Sequence, residues 1–323
     1  MKRVAKPEGQ FNVVIEEVDV PKIGSTEVLI RTECTLISRG SEIWRRYIRP
    51  EAIAHSSMGY SLVGTLVEVG AKVSGLALGD RVAALAPHAE YVAVEAVEPR
   101  NRPSVVLLPP TVSSEIGTFW PLATSSVLWM WQTQAGAEDT MVILGQGLVG
   151  SGCMQVAKAE QMGRVIAVDA LPLRCELARQ LGADEIVDAG VEDPVEAVQG
   201  LTEGRGADIV VEAVGGRAGA RAFVQAQDMV KRGGLLQVIG LYEDEPLPLD
   251  SSKIQGRRLI GGYLDPGRRP KGSERALQLL AEQQIQMQKM ITHRFHFTEG
   301  AAAFELLYNR LEETMAVLLV WGE

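Results

Sequence analysis

Met141-Val142-Ile143-Leu144-Gly145-Gln146-Gly147-Leu148-Val149-Gly150 sets three glycines at the spacing Gly-x-Gly-x-x-Gly directly after an apolar run. Each glycine has its own role. Gly145 permits a tight strand-to-helix turn, Gly147 keeps a Cβ out of the path of a pyrophosphate, and Gly150 lets the following helix pack close to the strand. Gln146, Leu148 and Val149 fill the loop and helix start, where free N–H groups and a partial positive charge favour phosphate. Asp169 stands 22 positions after Gly147, at the end of the next apolar run, Arg164-Val165-Ile166-Ala167-Val168. A carboxylate there accepts two ribose hydroxyls and repels a 2′-phosphate, which favours NAD over NADP. A glycine-rich turn followed by an unrelated surface aspartate would share these residue types. It would not also put strand, glycines, helix and acid in one register.

A fingerprint of this kind needs a sheet and helices to hold it. Apolar runs at Met141–Leu144, Val165–Val168, Glu185–Val187, Ile209–Glu212 and Leu235–Ile239 alternate with helical patterns at Leu148–Met162, Leu173–Leu181, Pro194–Leu201 and Ala218–Val230. Such alternation predicts βαβ units and a parallel sheet covered on both faces, with Arg258–Gly262 as a sixth strand at the edge. Before it, from about Ser113 to Gln134, the pattern is helical. The first hundred residues are β-rich instead, with short runs at Val13–Ile15, Glu27–Arg31, Gly64–Gly70, Asp80–Ala84 and Glu90–Val94. Gly70, Gly75 and Gly79 mark the turns, as in a small barrel or sandwich. In the tail, Ser273–Gln284 and Glu299–Leu311 look helical, and Ile291–Phe297 and Met315–Val320 extended. The domains expected are 1–112, 113–270 and 271–323, the last completing the first.

The composition narrows the class. A chain of 323 residues, 46% hydrophobic and 23% charged, is long enough for two ordinary domains. The formal net charge of −9 and the lack of a basic run argue against nucleic acid. No signal peptide or membrane-length apolar window is seen, so a cytoplasmic protein without membrane partners is expected. Cys34, Cys153 and Cys175 form no CxxC pair, which fits a reducing compartment.

The whole chain resembles the medium-chain dehydrogenase/reductase superfamily. The resemblance runs through Val69-Gly70, Gly79-Asp80-Arg81-Val82, Ala89-Glu90-Tyr91-Val92, Pro121-Leu122-Ala123-Thr124, the fingerprint, Leu181-Gly182-Ala183-Asp184, Gly206 to Gly215, Gly233-Gly234 and Ile291-Thr292-His293-Arg294-Phe295. It implies an α/β fold: a Rossmann-type doubly wound parallel sheet plus a partly barrel-like, β-rich (GroES-like) catalytic domain, with the active site in the cleft between them. It also implies a cofactor site that takes in Thr124, Val214, Gly240 and Leu241. A homodimer paired through the last strand of the Rossmann sheet is implied as well.

The departures from the family matter most for the chemistry. Zinc alcohol dehydrogenases of the family carry a Cys-Gly-x-Asp type motif where this chain has Ile37-Ser38-Arg39-Gly40-Ser41-Glu42. Whichever of Ser38 or Arg39 stands for the cysteine, no thiolate is present. The Gly-His-Glu motif is replaced by Gly59-Tyr60-Ser61, and the four-cysteine lobe is missing. Tetrahedral zinc therefore has no ligand set, and no metal is expected. The Ser-x-Gly-Ser-Glu stretch also resembles the bacteriochlorophyllide dehydrogenase-like branch.

Without zinc, the proton partner of a hydride step must be a side chain, unless the substrate is an activated C=C bond. Tyr60, in the lost ligand's place, is one candidate, against a tyrosine packed in a barrel wall. His88 is another, against an exposed loop histidine, and Ser38 is the third. Glu42 reads as an orienting carboxylate, and Arg39 as its partner or as a binder of acidic substrate. Trp44, Trp120 and Trp129 read as core, while His55, His293 and His296 carry no functional expectation. The leading expectation is a zinc-independent NAD(H) oxidoreductase acting on a cyclic or polyol-like alcohol or its ketone, a small molecule. The alternatives are an NAD(P)H-dependent enone or quinone reductase and a non-catalytic dinucleotide-binding sensor.

Overall fold

The structure is a computed structural model describing residues 1–97, 103–240 and 246–322. The chain divides into two units. The first holds Met1–Thr124, Pro266–Gln283 and Met290–Glu323; the second holds Ser125–Asp265 and Gln284–Lys289.

The first unit begins with β1 (Lys2–Ala5) and β2 (Val14–Glu17), paired antiparallel with Lys2 opposite Glu17 and Arg3 opposite Glu16. Two cross-strand ion pairs, Lys2–Glu17 at 2.7 Å and Arg3–Glu16 at 2.5 Å, follow from that register. Next come β3 (Glu27–Leu36), a π-helical segment at Arg39–Tyr47, β4 (Leu62–Val69), β5 (Arg81–Ala84), β6 (Tyr91–Glu95), β7 (Val105–Leu107), α1 (Ser114–Gly117) and the start of α2 (Trp120–Thr133), whose residues from Ser125 on belong to the second unit. Val28, Ile30, Leu62, Leu66, Val82, Ala84, Val92 and Val94 alternate along these strands into one buried cluster, as half-buried strands must.

The second unit contains β8 (Thr140–Leu144), α3 (Leu148–Ala159), β9 (Arg164–Asp169), α4 (Pro172–Gln180), β10 (Glu185–Asp188), α5 (Pro194–Leu201), β11 (Ala207–Glu212), α6 (Gly219–Met229), β12 (Val230–Val238) and β13 (Arg258–Gly261). Its sheet runs β10-β9-β8-β11-β12-β13, and all pairs are parallel. Val142, Leu144, Ile166, Val168 and Val210 are buried in its core with Phe223 and Met229 of α6. Continuous apolar runs in the sequence therefore mark these strands correctly: a parallel sheet is buried on both faces.

The chain then supplies α7 (Arg269–Ala281), β14 (Ile291–His296), α8 (Gly300–Asn309) and β15 (Ala316–Val320) to the first unit. Its sheet runs β14-β15-β3-β4-β5-β7, with β6 also paired to β3. The π-helical segment and α8 share a second buried cluster that includes Ile43, Tyr47, Phe304, Leu307 and Trp321.

The division differs from the boundaries expected at 112/113 and 270/271. Helical residues after 112 look like the start of the α/β domain, yet α1 and the start of α2 are tied to the first unit. Arg294 forms an ion pair with Glu115 at 2.5 Å, and Trp120 Nε1 donates to Ser273 Oγ at 2.8 Å. A Cβ at Gly117 would lie 2.8 Å from a Leu108 methyl. Residues 284–289 belong to the second unit, where Gln286 N donates to Gln155 Oε1 at 2.6 Å. The helical stretch expected from Ser113 to Gln134 is two helices, with Thr118 and Phe119 between them. No helix among the described residues is long and apolar enough to cross a membrane.

Candidate functional site

In the second unit the site forms where neighbouring crossovers part. β8 lies between β9 and β11, so chain order reverses there, and ligands of open α/β sheets bind at the carboxyl ends of such strands. Gly145 leaves β8 at φ +93°, a left-handed conformation that side chains resist. A Cβ on Gly145 would lie 2.7 Å from Val214 Cγ2, so Val214 borders the loop. A Cβ on Gly150 would meet the Gly145 carbonyl oxygen at 1.7 Å, whereas beside Gly147 the nearest atom would be Arg174 Nη1, 3.9 Å away. Gly147 caps α3 with no side-chain acceptor for the first N–H groups. Leu148 and Val149 open that helix, where the first backbone N–H groups have no partner within the helix. Gln146 turns inward instead. It is fully buried, and Nε2 donates to Ile143 O at 2.8 Å.

Asp169 ends β9 with only 8% of its surface exposed. Its Oδ2 accepts from Gln146 N at 2.7 Å, and Oδ1 accepts from Leu171 N at 2.9 Å. Arg174 Nη1 lies 3.5 Å from Oδ2. Sequence reasoning missed this arginine. The available signal was its place in the first turn of α4, since helical side chains lean back toward the N-terminus and so toward the end of the preceding strand. Gly240 N donates to Glu212 O at 3.0 Å, and Val214 N donates to Glu212 Oε1 at 2.7 Å. Thr124 belongs to the first unit, and its hydroxyl donates to Trp120 O at 2.8 Å. Leu241 lies outside the described residues.

In the first unit the candidate residues gather around Glu42, which is fully buried. Glu42 Oε1 is 2.9 Å from His88 Nε2, and Oε2 accepts from Ser38 N at 2.7 Å. Three segments distant in sequence meet through the backbone. Leu36 N donates to Ser61 O at 3.2 Å, and His88 N donates to Met58 O at 2.7 Å. Gly59, at φ +108°, allows that approach, because a Cβ there would sit 2.5 Å from His88 N.

Each candidate has a distinct environment. His88 is fully buried, with Nδ1 unpartnered among the described residues, and its ring lies edge-on to Phe304. The ring has no exposed surface, and its Nε2 is turned to Glu42. Ser38 caps the π-helical segment: its Oγ accepts from Ser41 N at 3.4 Å and is 2.6 Å from Ser41 Oγ. Its hydroxyl thus serves the helix start. Ser61 Oγ donates to Thr118 O and is buried. Tyr60 is half-buried. Burial pushes its phenol well above the usual tyrosine range, and the Glu42 charge pushes it the same way. Burial likewise pushes Cys34 and Cys153 up to about 12 and Cys175 to about 11. Among the described residues no group of three or more His, Cys, Asp or Glu side chains is placed to hold a metal ion. Trp44 meets Tyr308 edge-on, and Trp129 Nε1 donates to Gly262 O at 2.9 Å.

Comparison with known proteins points one way. The zinc-binding dehydrogenase family matches residues 149–282. The chain is 29% identical to an L-threonine 3-dehydrogenase of Bacillus subtilis (strain 168), covering 95% of each chain. It is 28% identical to a D-arabitol-phosphate dehydrogenase of Enterococcus avium, covering 94% of each. Among solved structures it is similar to an alcohol dehydrogenase from Thermus sp. ATN1, with a TM-score of 0.84 and 25% identity over 99% of both chains.

Proposed function

We propose that this chain, an oxidoreductase of the medium-chain dehydrogenase/reductase superfamily, moves hydride between NAD(H) and the carbinol carbon of a polyol-like or cyclic alcohol, without zinc. The observation that carries the reading is the Glu42-centred cluster. Where metal-binding members need ligands, this chain has Ser38, Arg39 and Tyr60, and both oxygens of Glu42 are engaged by His88 and Ser38. Hydroxyl, guanidinium and phenol groups do not make a tetrahedral zinc site, and the buried cysteines are held as thiols. Elemental analysis of purified, untagged protein should find far less than one zinc per chain. Turnover of a polyol panel with NAD should survive a strong chelator. About one zinc per chain, or loss of activity on chelation, would overturn the reading. Relatives that act by name on L-threonine or D-arabitol phosphate favour an alcohol over an enone substrate. The few residues shared with the bacteriochlorophyllide dehydrogenase-like branch add no substrate to this reading.

The residues of the second unit fit NAD. The Gly145–Gly150 loop and the start of α3 would hold its pyrophosphate, and Asp169 its adenosine ribose. NAD supplies a hydride acceptor, or in reduced form a donor, at its nicotinamide ring. Tyr60 then holds the proton: in ketone reduction its hydroxyl donates to the developing alkoxide, and in alcohol oxidation its phenolate accepts. Glu42, whose charge acts on that phenol, is a positioning residue fixed by Ser38 N and His88 Nε2. Ser38 contributes as the cap that sets the helix start.

NAD(H) should bind at least about tenfold tighter than NADP(H), about 1.4 kcal/mol. A 2′-phosphate would sit beside the Asp169 carboxylate. Asp169→Ala should erode the preference from both sides, because it removes that charge and frees Arg174, 3.5 Å away, to meet the phosphate. Fluorescence titration of both cofactors decides it, and equal or tighter NADP(H) binding by the parent protein would sink the assignment.

The chain should also form a homodimer through β13. That strand pairs with β12 on one side and ends the sheet, with Leu259 42% and Tyr263 66% exposed. An unpaired, partly apolar edge of this kind invites pairing with a copy of itself about a two-fold axis. Light scattering at micromolar concentration should give twice the chain mass, and Leu259→Lys should shift it toward monomer. A monomer mass for the parent protein would exclude the arrangement.

A further inference from the structure

The π-helical segment that carries Glu42 also carries an excess of positive charge. Residues 39–49 contain Arg39, Arg45, Arg46 and Arg49 against the one acid, Glu42, in a chain whose formal net charge is −9. Part of this has a local cause: Arg45 and Arg46 lie in the last turn, where a helix favours cations. That cause does not account for Arg46 Nη1, which is enclosed by the protein and has no hydrogen-bond acceptor among the described residues. A buried cationic N–H without an acceptor is costly, and such groups are normally satisfied. Glu42 is four residues away on the same segment, yet its two oxygens already accept from His88 Nε2 and Ser38 N. Burial lowers the Arg46 pKa and the nearby Glu42 charge works against that. The same charge acts on Tyr60. Arg46 and Tyr60 therefore both feel the charge of one carboxylate. Arg39, at the other end of the segment, is held by Thr314 Oγ1 at 3.5 Å among its contacts.

We infer that Arg46 recognises an anionic group on the substrate, so that the alcohol acted on carries a phosphate monoester or a carboxylate. The inference rests on the reading of Tyr60 as the proton donor and acceptor. A guanidinium suits such recognition, because its planar fork matches the oxygens of either anion and keeps its charge when partly buried. The anion would supply the acceptor that Nη1 lacks and orient the carbinol toward Tyr60. A neutral polyol would leave the cation unanswered, which is how a site built for a polar partner discriminates against an analogue without it.

The test compares D-glucitol, D-glucitol 6-phosphate and D-gluconate as substrates with NAD, and as ligands by calorimetry, for the parent protein, Arg46→Gln and Arg46→Lys. The parent should favour at least one anionic probe over D-glucitol by about tenfold or more in kcat/KM, the worth of one charged hydrogen bond. Arg46→Gln should collapse that ratio toward one through KM, and Arg46→Lys should keep part of it. Equal use of all three probes by the parent, or an unchanged ratio in Arg46→Gln, overturns the inference and leaves the dehydrogenase reading standing. If NAD binds but no probe is turned over, the dehydrogenase reading fails for this class, and calorimetry alone judges Arg46. Binding of an anionic probe that is lost in Arg46→Gln then sustains the inference. Absent binding, or binding indifferent to the substitution, overturns it.

Discussion

Replacing Tyr60 by phenylalanine should lower kcat by about 10²- to 10⁴-fold, the usual worth of a positioned acid or base, while NAD affinity stays nearly unchanged. The substitution deletes one oxygen from a half-buried ring, so folding should survive. The pH profile gives a second readout. The Tyr60 pKa is raised, which means that the protonated phenol is the favoured form in the folded protein. Ketone reduction uses that form. Its kcat/KM should stay level through neutrality and fall only above about pH 10, the ordinary tyrosine value. Alcohol oxidation uses the phenolate and should climb with pH over the whole accessible range. In Tyr60→Phe both activities should be low and this pH dependence should vanish. Full activity in Tyr60→Phe would place the acid/base elsewhere.

Gly150→Ala should weaken NAD binding by about two orders of magnitude. The new methyl carbon would sit 1.7 Å from the Gly145 carbonyl oxygen, far inside van der Waals contact. That oxygen belongs to backbone, so neither partner can swing aside as a flexible side chain would. The glycine loop must move, and overpacking of this sort costs about 1–3 kcal/mol or more. At the upper end that is about a hundredfold in affinity. Gly147→Ala gives an internal comparison. Its Cβ has open space in the free protein, with Arg174 Nη1 the nearest atom, so its cost should appear only when pyrophosphate binds. The thermal midpoint should therefore drop in Gly150→Ala and hold in Gly147→Ala, while both lose NAD affinity. Normal NAD binding by Gly150→Ala would show that the loop is not the cofactor cradle.

The sequence by itself determined the second unit's elements almost completely. Strand, glycine turn, helix and acid lie within 29 residues, and parallel strands buried on both faces announce themselves as apolar runs. Pro194–Leu201 matches its helix to the residue, because Asp193 caps it and Pro194 opens it. The first unit was less legible. β1, with the sequence Lys-Arg-Val-Ala, becomes a strand through its antiparallel pairing with β2, whose register also brings two ion pairs together. β3 runs to Leu36 rather than Arg31, since its far half is held by β4 and β15, strands that come later in the chain. The π-helical segment carrying Glu42 and Arg46 was not foreseen. Tyr60, His88 and Ser38 could be singled out by residue type. Their surroundings were decided by contacts across 46 residues between Glu42 and His88 and by the Gly59 approach to the His88 backbone. Local spacing specifies turns, caps and sheet runs because those interactions close within a few residues. Which candidate is partly exposed, which is sealed behind a carboxylate and which arginine nitrogens lack an acceptor among the described residues depend on sheet pairings between distant segments, and only the tertiary structure sets those.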